Sequence, residues 1–222
     1  MGVFADFLAL AVGALLPVVN PVGSSLVFLG MVGSAPPRVF KMLARKIALT
    51  TALFLLVMDL GGAAVLKLFG ISLPVVQLAG GLVLAAMGWE LLNRQEAPGE
   101  QDQAGPPADL TELQGKIFYP FTFPVTAGPG VLVVTLTLSA HASKGTLLTM
   151  ALAHLGVLAG VALMCVGVFV FYAYAPVITA RVSAATAHGI LRVIAFILLC
   201  IGVQIAWNGL NGLAQSAGLV PR

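Results

Sequence analysis

"LPVVNPVGSS", residues 16–25, lies inside a stretch with no charged side chain from residue 7 to residue 37. The stretch is long and apolar enough to cross a bilayer as a helix, yet it contains the residues that break one. Pro17 and Pro21 have no backbone N–H to donate, and Gly23 loosens the turn that follows. In hydrocarbon no water replaces hydrogen bonds lost this way, so a break here is tolerable only where protein or a polar cavity satisfies the freed groups. The reading is a membrane helix interrupted near mid-bilayer.

The rest of the chain agrees with a membrane setting. Of its 222 residues, 59% are hydrophobic and 9% charged, and mean hydropathy is +1.05; a soluble domain carries about 25% charged residues. The alternating pattern of a β-barrel is absent. Six apolar spans can be drawn, at 4–32, 42–66, 70–92, 117–140, 145–174 and 188–214. The N-terminus, "MGVFADF", has no Lys or Arg before its apolar run, so the first span is expected to stay as a membrane helix rather than act as a cleaved signal. The basic pI of about 9.1 comes from cations scattered at span ends, which argues against a nucleic-acid partner and for contact with lipid. With both termini outside, Arg38, Lys41, Arg45, Lys46, Arg94, Lys116, Arg181 and Arg192 fall on the cytoplasmic side, against Lys67, Lys144 and Arg222 outside, as the positive-inside rule requires. The cytoplasmic membrane is the expected location.

Residues 94–116, rich in Pro, Gly, Gln and acids, read as a solvated cytoplasmic linker. The linker divides the chain into residues 1–93 and 117–222, with three spans each. An odd number of spans per half makes the second half insert upside down. The break also has a counterpart: "FPVTAGPG", 123–130, can be set against "LPVVNPVG", 16–23. The offset is 107 for Pro17 with Pro124 and for Gly23 with Gly130, and 108 for Pro21 with Pro129. The fold class expected is therefore all-α, six transmembrane helices forming two inverted three-helix repeats, with the first and fourth helices broken near mid-bilayer. Matched Gly/Pro interruptions in two halves point to a solute site at the repeat interface. Kinks that serve only packing are the plain alternative.

At "NPVGSSLVFL" and "AGPGVLVVT" the sequence resembles the MarC family of bacterial and archaeal integral membrane proteins, also described as neutral amino acid transporters. Asn20, Pro21, Val22 and Gly23 carry one family motif and Ala127, Gly128, Pro129 and Gly130 the other; "LFGIS" at 68–72 and the pair Gly80 and Gly81 look like family features. The resemblance implies six spans and secondary transport of small neutral amino acids such as glycine and alanine, in a superfamily that contains many exporters. On that reading the substrate-binding residues are Asn20, Pro21, Gly23, Ser24, Thr126, Ala127, Gly128, Pro129 and Gly130. Half-helix N–H groups would hold the carboxylate, while freed carbonyls and the Asn20 side chain would receive the ammonium. A non-transporting scaffold or regulatory protein, a channel, or an exporter of another small solute are the alternatives, and a homo-oligomer is left open.

Asp59, inside the second span, is a candidate for coupling to H⁺ or Na⁺, because a carboxylate in hydrocarbon is costly; its plain reading is an acid still hydrated near the headgroups. His154 is the second candidate, as a proton shuttle or as a packing histidine. Glu90 and Arg94 have the spacing of a local helical pair. Gln77, Gln204, Asn208 and Asn211 can bridge helices or line a path, and Gly156 and Gly160 form a small-xxx-small pattern suited to close helix packing. Trp89, Tyr119, Tyr172, Tyr174 and Trp207 are expected at the membrane interface. Cys165 and Cys200 read as small apolar residues. No phosphate loop, metal cluster, cofactor motif or nucleophile–base pair is legible, so no enzymatic activity and no cofactor is expected.

Overall fold

The computed structural model of the chain describes residues 2–93, 110–181 and 184–219, and these are helical with no strand among them. In order they form α1 (Val3–Val19), α2 (Pro21–Val32), α3 (Pro37–Leu68), α4 (Leu73–Asn93), α5 (Leu110–Gly115), an irregular segment Ile117–Thr126, α6 (Pro129–Ala142), α7 (Leu147–Ala173), α8 (Ala175–Arg181) and α9 (Ala184–Ser216). Five helical stretches are long and apolar enough to span a bilayer, α1 with α2 counting as one of 30 residues. A sixth span results if Ile117–Thr126 and α6, bent by 70°, are taken together. The drawn spans match these within a few residues, except that α3 begins at Pro37, a proline at the first helical position where its missing N–H is no loss.

The end of the expected linker differs from a tether. Leu110–Gly115 is a helix whose Leu113 is buried while Leu110 stays exposed, so this polar segment is held by one apolar contact. Arg94, and with it the Glu90–Arg94 pair, lies outside the described residues.

Large apolar side chains face outward along α1, α3, α4, α7 and α9, whereas α6 exposes none. On α3, Leu49, Leu53, Val57 and Leu60 recur every three or four residues and are all more than half exposed. Water would not tolerate a stripe of that size, whereas lipid requires it. The opposite face of α3, including Leu43, Ile47, Thr51 and Leu55, is buried. This is an integral, multi-pass membrane protein.

The buried faces meet almost entirely between the first three spans and the last three. α1 packs on α7, α3 on α7 and α6, and α4 on α9. Glycine sets two of these contacts. A Cβ on Gly156 would stand 2.6 Å from the Phe4 carbonyl, and one on Gly160 would stand 2.6 Å from Ala11 Cβ, so the expected small-xxx-small stripe joins α7 to α1. Along α4 and α9 the arrangement is reciprocal. Gly81 faces the Gly202 carbonyl and the Ala206 backbone, Gly202 faces the Gly81 carbonyl and the Ala85 backbone, and Gly88 and Gly209 repeat the pattern one heptad further on each helix. The register is antiparallel. Backbones this close allow no side chain between them.

Candidate functional site

The first interruption is confined to one residue. Asn20 adopts left-handed dihedrals (φ 43°, ψ 67°), a conformation that Asn visits more readily than other non-glycine residues. Its N–H still reaches the Leu16 carbonyl at 3.0 Å, its carbonyl accepts from Ser24 N–H at 2.9 Å, and its Oδ1 accepts from Gly23 N–H at 3.0 Å. Asn20 thus ends α1 and caps α2 together. The next residues fit the cap: Pro21 needs no donor, and a Cβ on Gly23 would stand 2.3 Å from Asn20 Nδ2. Ser24 and Ser25 return their hydroxyl protons to the carbonyls of Asn20 and Val22.

Some backbone groups are left over. Pro21 has no N–H for the Pro17 carbonyl, and Gly23 N–H has turned to the Asn20 side chain. Among the described residues the carbonyls of Pro17, Val18 and Val19 and the N–H of Val22 make no hydrogen bond across the break. Asn20 Oδ1 has one lone pair in the cap and a second unused, and Nδ2 donates to no partner among the described residues, so the side chain keeps both an acceptor and a donor.

The second interruption extends over ten residues. In Ile117–Thr126 the turns close with the wide bonds Phe121 N–H to Lys116 carbonyl and Ala127 N–H to Thr122 carbonyl. Tyr119 and Phe123, each before a proline, are extended, as the proline ring demands of its predecessor. α6 then starts at Pro129 after Gly128, whose carbonyl accepts from Val131 and Leu132. Gly130 N–H has no partner among the described residues. Gly128 and Gly130 are both buried, but differently. A Cβ on Gly130 would stand 2.1 Å from Leu84 Cδ2 and 3.2 Å from Val18 Cγ1, whereas one on Gly128 would meet only the Pro124 carbonyl, at 3.0 Å.

The two interruptions are neighbours: Gly130 packs against Val18, and a buried hydroxyl joins the segments that flank them. Tyr172, near the end of α7, is fully buried, with its OH 2.8 Å from Thr126 Oγ1 and hydrogen-bonded to Ser24. Thr126 and Ser24 each give their own proton to a backbone carbonyl, so Tyr172 is the donor of this group, with one proton between the two hydroxyls. Phe28 stacks on the Tyr172 ring at 4.5 Å and meets Phe121 and Phe40 edge-on, closing one side of the junction. Tyr172 was expected at the membrane interface. It lies inside because its hydroxyl has partners there and its ring completes this aromatic cluster. Trp89, Tyr119, Tyr174 and Trp207 are exposed.

Asp59 and His154 are brought together at the end of the bundle where α6 turns into α7. Asp59 Oδ2 lies 2.9 Å from His154 Nδ1, the Asp59 side chain is wholly buried, and its Oδ1 has no partner. Ser139 Oγ donates to the Asp59 backbone carbonyl. His154 Nε2 lies 3.2 Å from Ser143 Oγ. This order of serine, histidine and aspartate has the outline of a nucleophile–base triad, a grouping invisible in the sequence. The protons are arranged otherwise. Ser143 donates to the Ser139 carbonyl at 2.9 Å, so toward His154 it can only accept, and Nε2 carries a proton. One further proton then sits between Nδ1 and Oδ2, as imidazolium with carboxylate or as imidazole with carboxylic acid. Either form leaves the pair with no net charge, which is how a carboxyl can be buried here.

Ser139, Ser143 and Tyr172 were missed as site residues. Gln77 Nε2 reaches Thr137 Oγ1 at 3.5 Å, joining α4 to α6, while Gln204 bonds Asn208 on α9 itself. Among the described residues no group of His, Cys, Asp and Glu has the geometry of a metal site.

Comparison with known proteins assigns the family. A family model described as MarC family integral membrane protein matches residues 5–214. The chain is 26% identical over 201 residues to the UPF0056 membrane protein YvbG of Bacillus subtilis (strain 168), covering 90% of this chain and 92% of that protein. It is 29% identical over 145 residues to the UPF0056 membrane protein PH0760 of Pyrococcus horikoshii, covering 64% and 70%. To the UPF0056 inner membrane protein MarC of Escherichia coli O1:K1 / APEC it is 25% identical over 219 residues, covering 92% and 95%. No solved structure matches. The chain belongs to the MarC family of integral membrane proteins.

Proposed function

We propose that the chain is a secondary transporter of small neutral amino acids, glycine and alanine among them, in the cytoplasmic membrane. In this reading its halves are inverted three-helix repeats, both termini lie outside and residues 94–116 lie in the cytoplasm. The observation that carries the proposal is the set of backbone groups left without partners where the two interruptions meet. Among the described residues Val22 N–H in one half and Gly130 N–H in the other are unpaired, as are the Pro17, Val18 and Val19 carbonyls across the first break, and the two breaks touch where Gly130 packs on Val18. Donors at half-helix starts suit a carboxylate, and carbonyls at a half-helix end suit an ammonium. A small zwitterion complements both, and without one each group costs free energy in a dry interior.

The packing supports an inverted arrangement. A two-fold axis in the membrane plane that exchanges the halves turns the contact of span one with span five into that of span four with span two; α1 on α7 and α6 on α3 are such a pair. It also turns the α4–α9 contact into itself, as the reciprocal glycines require. In this scheme the Asp59–His154 pair takes or releases the coupling ion, H⁺ or Na⁺, at the free Oδ1. The proton order at Ser143 supports relay over nucleophilic catalysis, in keeping with a protein that is not an enzyme.

The test is exchange of labelled glycine or alanine by the purified chain in liposomes. Saturable exchange is expected in the wild type, with loss in Gly128→Leu, which adds bulk at a buried position directly before α6. Asp59→Asn should abolish gradient-driven uptake and leave exchange largely intact. No saturable flux across a broad set of neutral amino acids would overturn the proposal and favour the scaffold, and conductance without saturation would favour a channel.

A further inference from the structure

The interruptions leave the most strongly charged feature of the described residues unused. Lys41, Arg45 and Lys46 stand in the first turns of α3 behind Arg38, and all four are exposed. Cations at that end oppose the helix dipole, which favours acids there, and the first turn of α3 contains no acid. No Asp or Glu occurs between Asp6 and Asp59, nor anywhere after Glu112, so α3 facing α7 has no counterion for this cluster. Among the described residues the ion pairs are Lys116–Glu112 and His154–Asp59, neither of which involves it.

Lys41, Arg45 and Lys46 line a groove of about 560 Å³ whose apolar part is Met42, Leu49 and Phe169. Lys41 Nζ stands 5.3 Å from the ring centroid of Tyr174, an exposed ring at the end of α7, where interfacial aromatics mark headgroup depth. The groove therefore has a cationic rim at headgroup level and an apolar wall that continues into the lipid-facing stripe of α3. We propose that it binds an anionic phospholipid, with the phosphate among Lys41, Arg45 and Lys46 and an acyl chain along Met42, Leu49 and Phe169. Basic pockets between spans take anionic headgroups on this principle. The chain's own acidic stretch, residues 94–109, offers charge but no apolar side chain larger than Ala or Pro, so it matches the rim and not the wall. The inference holds whether or not the chain carries a solute.

The test uses the full chain in neutral detergent, with short-chain phosphatidylglycerol, phosphatidylcholine of the same chain length, or inorganic phosphate added, read by native mass spectrometry and by Tm. Phosphatidylglycerol should bind roughly tenfold more tightly than phosphatidylcholine and raise Tm where phosphate alone does not. The variant K41Q/R45Q/K46Q should lose that preference, while K41R/K46R and R181Q/R192Q keep it, separating loss of this charge from misfolding and from general surface charge. Equal binding of the two lipids, an unchanged preference in K41Q/R45Q/K46Q, or full stabilisation by phosphate would each overturn the proposal. So would a several-fold gain in phosphatidylglycerol binding by E96Q/E100Q/D102N/D109N, which would assign the groove to the chain's own acidic stretch.

Discussion

The two interruptions share a sequence pattern and differ in construction. At Asn20 one left-handed residue ends a helix and starts the next, and α1 with α2 still counts as one span. Across Ile117–Thr126 and the junction with α6 the chain needs two extended residues, wide turns and a 70° bend. A side chain that caps its own break contains it, whereas prolines four apart without a cap spread the disturbance. The halves are thus alike in where they stop being helical and unlike in how. In the transporter proposed above, such a difference would let the two halves take unlike conformations, as alternating access implies.

Substitutions at four positions test this contrast, the largest expected effect first. Gly130→Leu drives a side chain into Leu84 and Val18 and should cost about 3 kcal/mol, the upper range for overpacking; thermal unfolding in detergent would register it. Asn20→Ala loses the cap and places Ala in left-handed dihedrals, together about 2 kcal/mol, whereas Asn20→Gly should recover most of that. Thr126→Val removes the acceptor for Tyr172 and should cost about 1 kcal/mol, as hydrogen bonds between membrane helices do. Gly128→Ala, at φ −73° with one carbonyl near its Cβ, should change stability by less than about 0.5 kcal/mol. If Gly128→Ala destabilised as much as Asn20→Ala, the second break would prove as locally determined as the first.

The apolar runs gave the spans because hydrophobic length is a local property, and Gly23 and Gly130 marked the interruptions because backbone exceptions are local too. What joins distant parts was not legible. Asp59 and His154 are 95 residues apart and Ser139 reaches Asp59 across 80, and a serine in an apolar run looks alike whether it packs or bonds. Tyr172 lies near a span end, where aromatics commonly face the interface, and only the positions of Thr126 and Phe28 turn it inward. The role of Asn20 was half legible: the residue was singled out, but that its Oδ1 caps α2 through the Gly23 N–H depends on the left-handed turn.

The way the helices partner bears on how the protein is made. Among the described residues no two of α1 to α4 pack on each other beyond marginal contact; their buried faces are covered by α6, α7 and α9. Synthesis at about 5–20 residues per second therefore places the first three spans in the bilayer seconds before the surfaces that complete them exist. During that interval Gly81, Gly88 and the open backbone at Asn20 face lipid or an insertion factor. Folding is then an assembly reaction within one polypeptide, whose halves are joined in sequence through residues 94–109. Cut there and co-expressed, the two fragments should find each other and restore the whole, while either one made alone should be degraded.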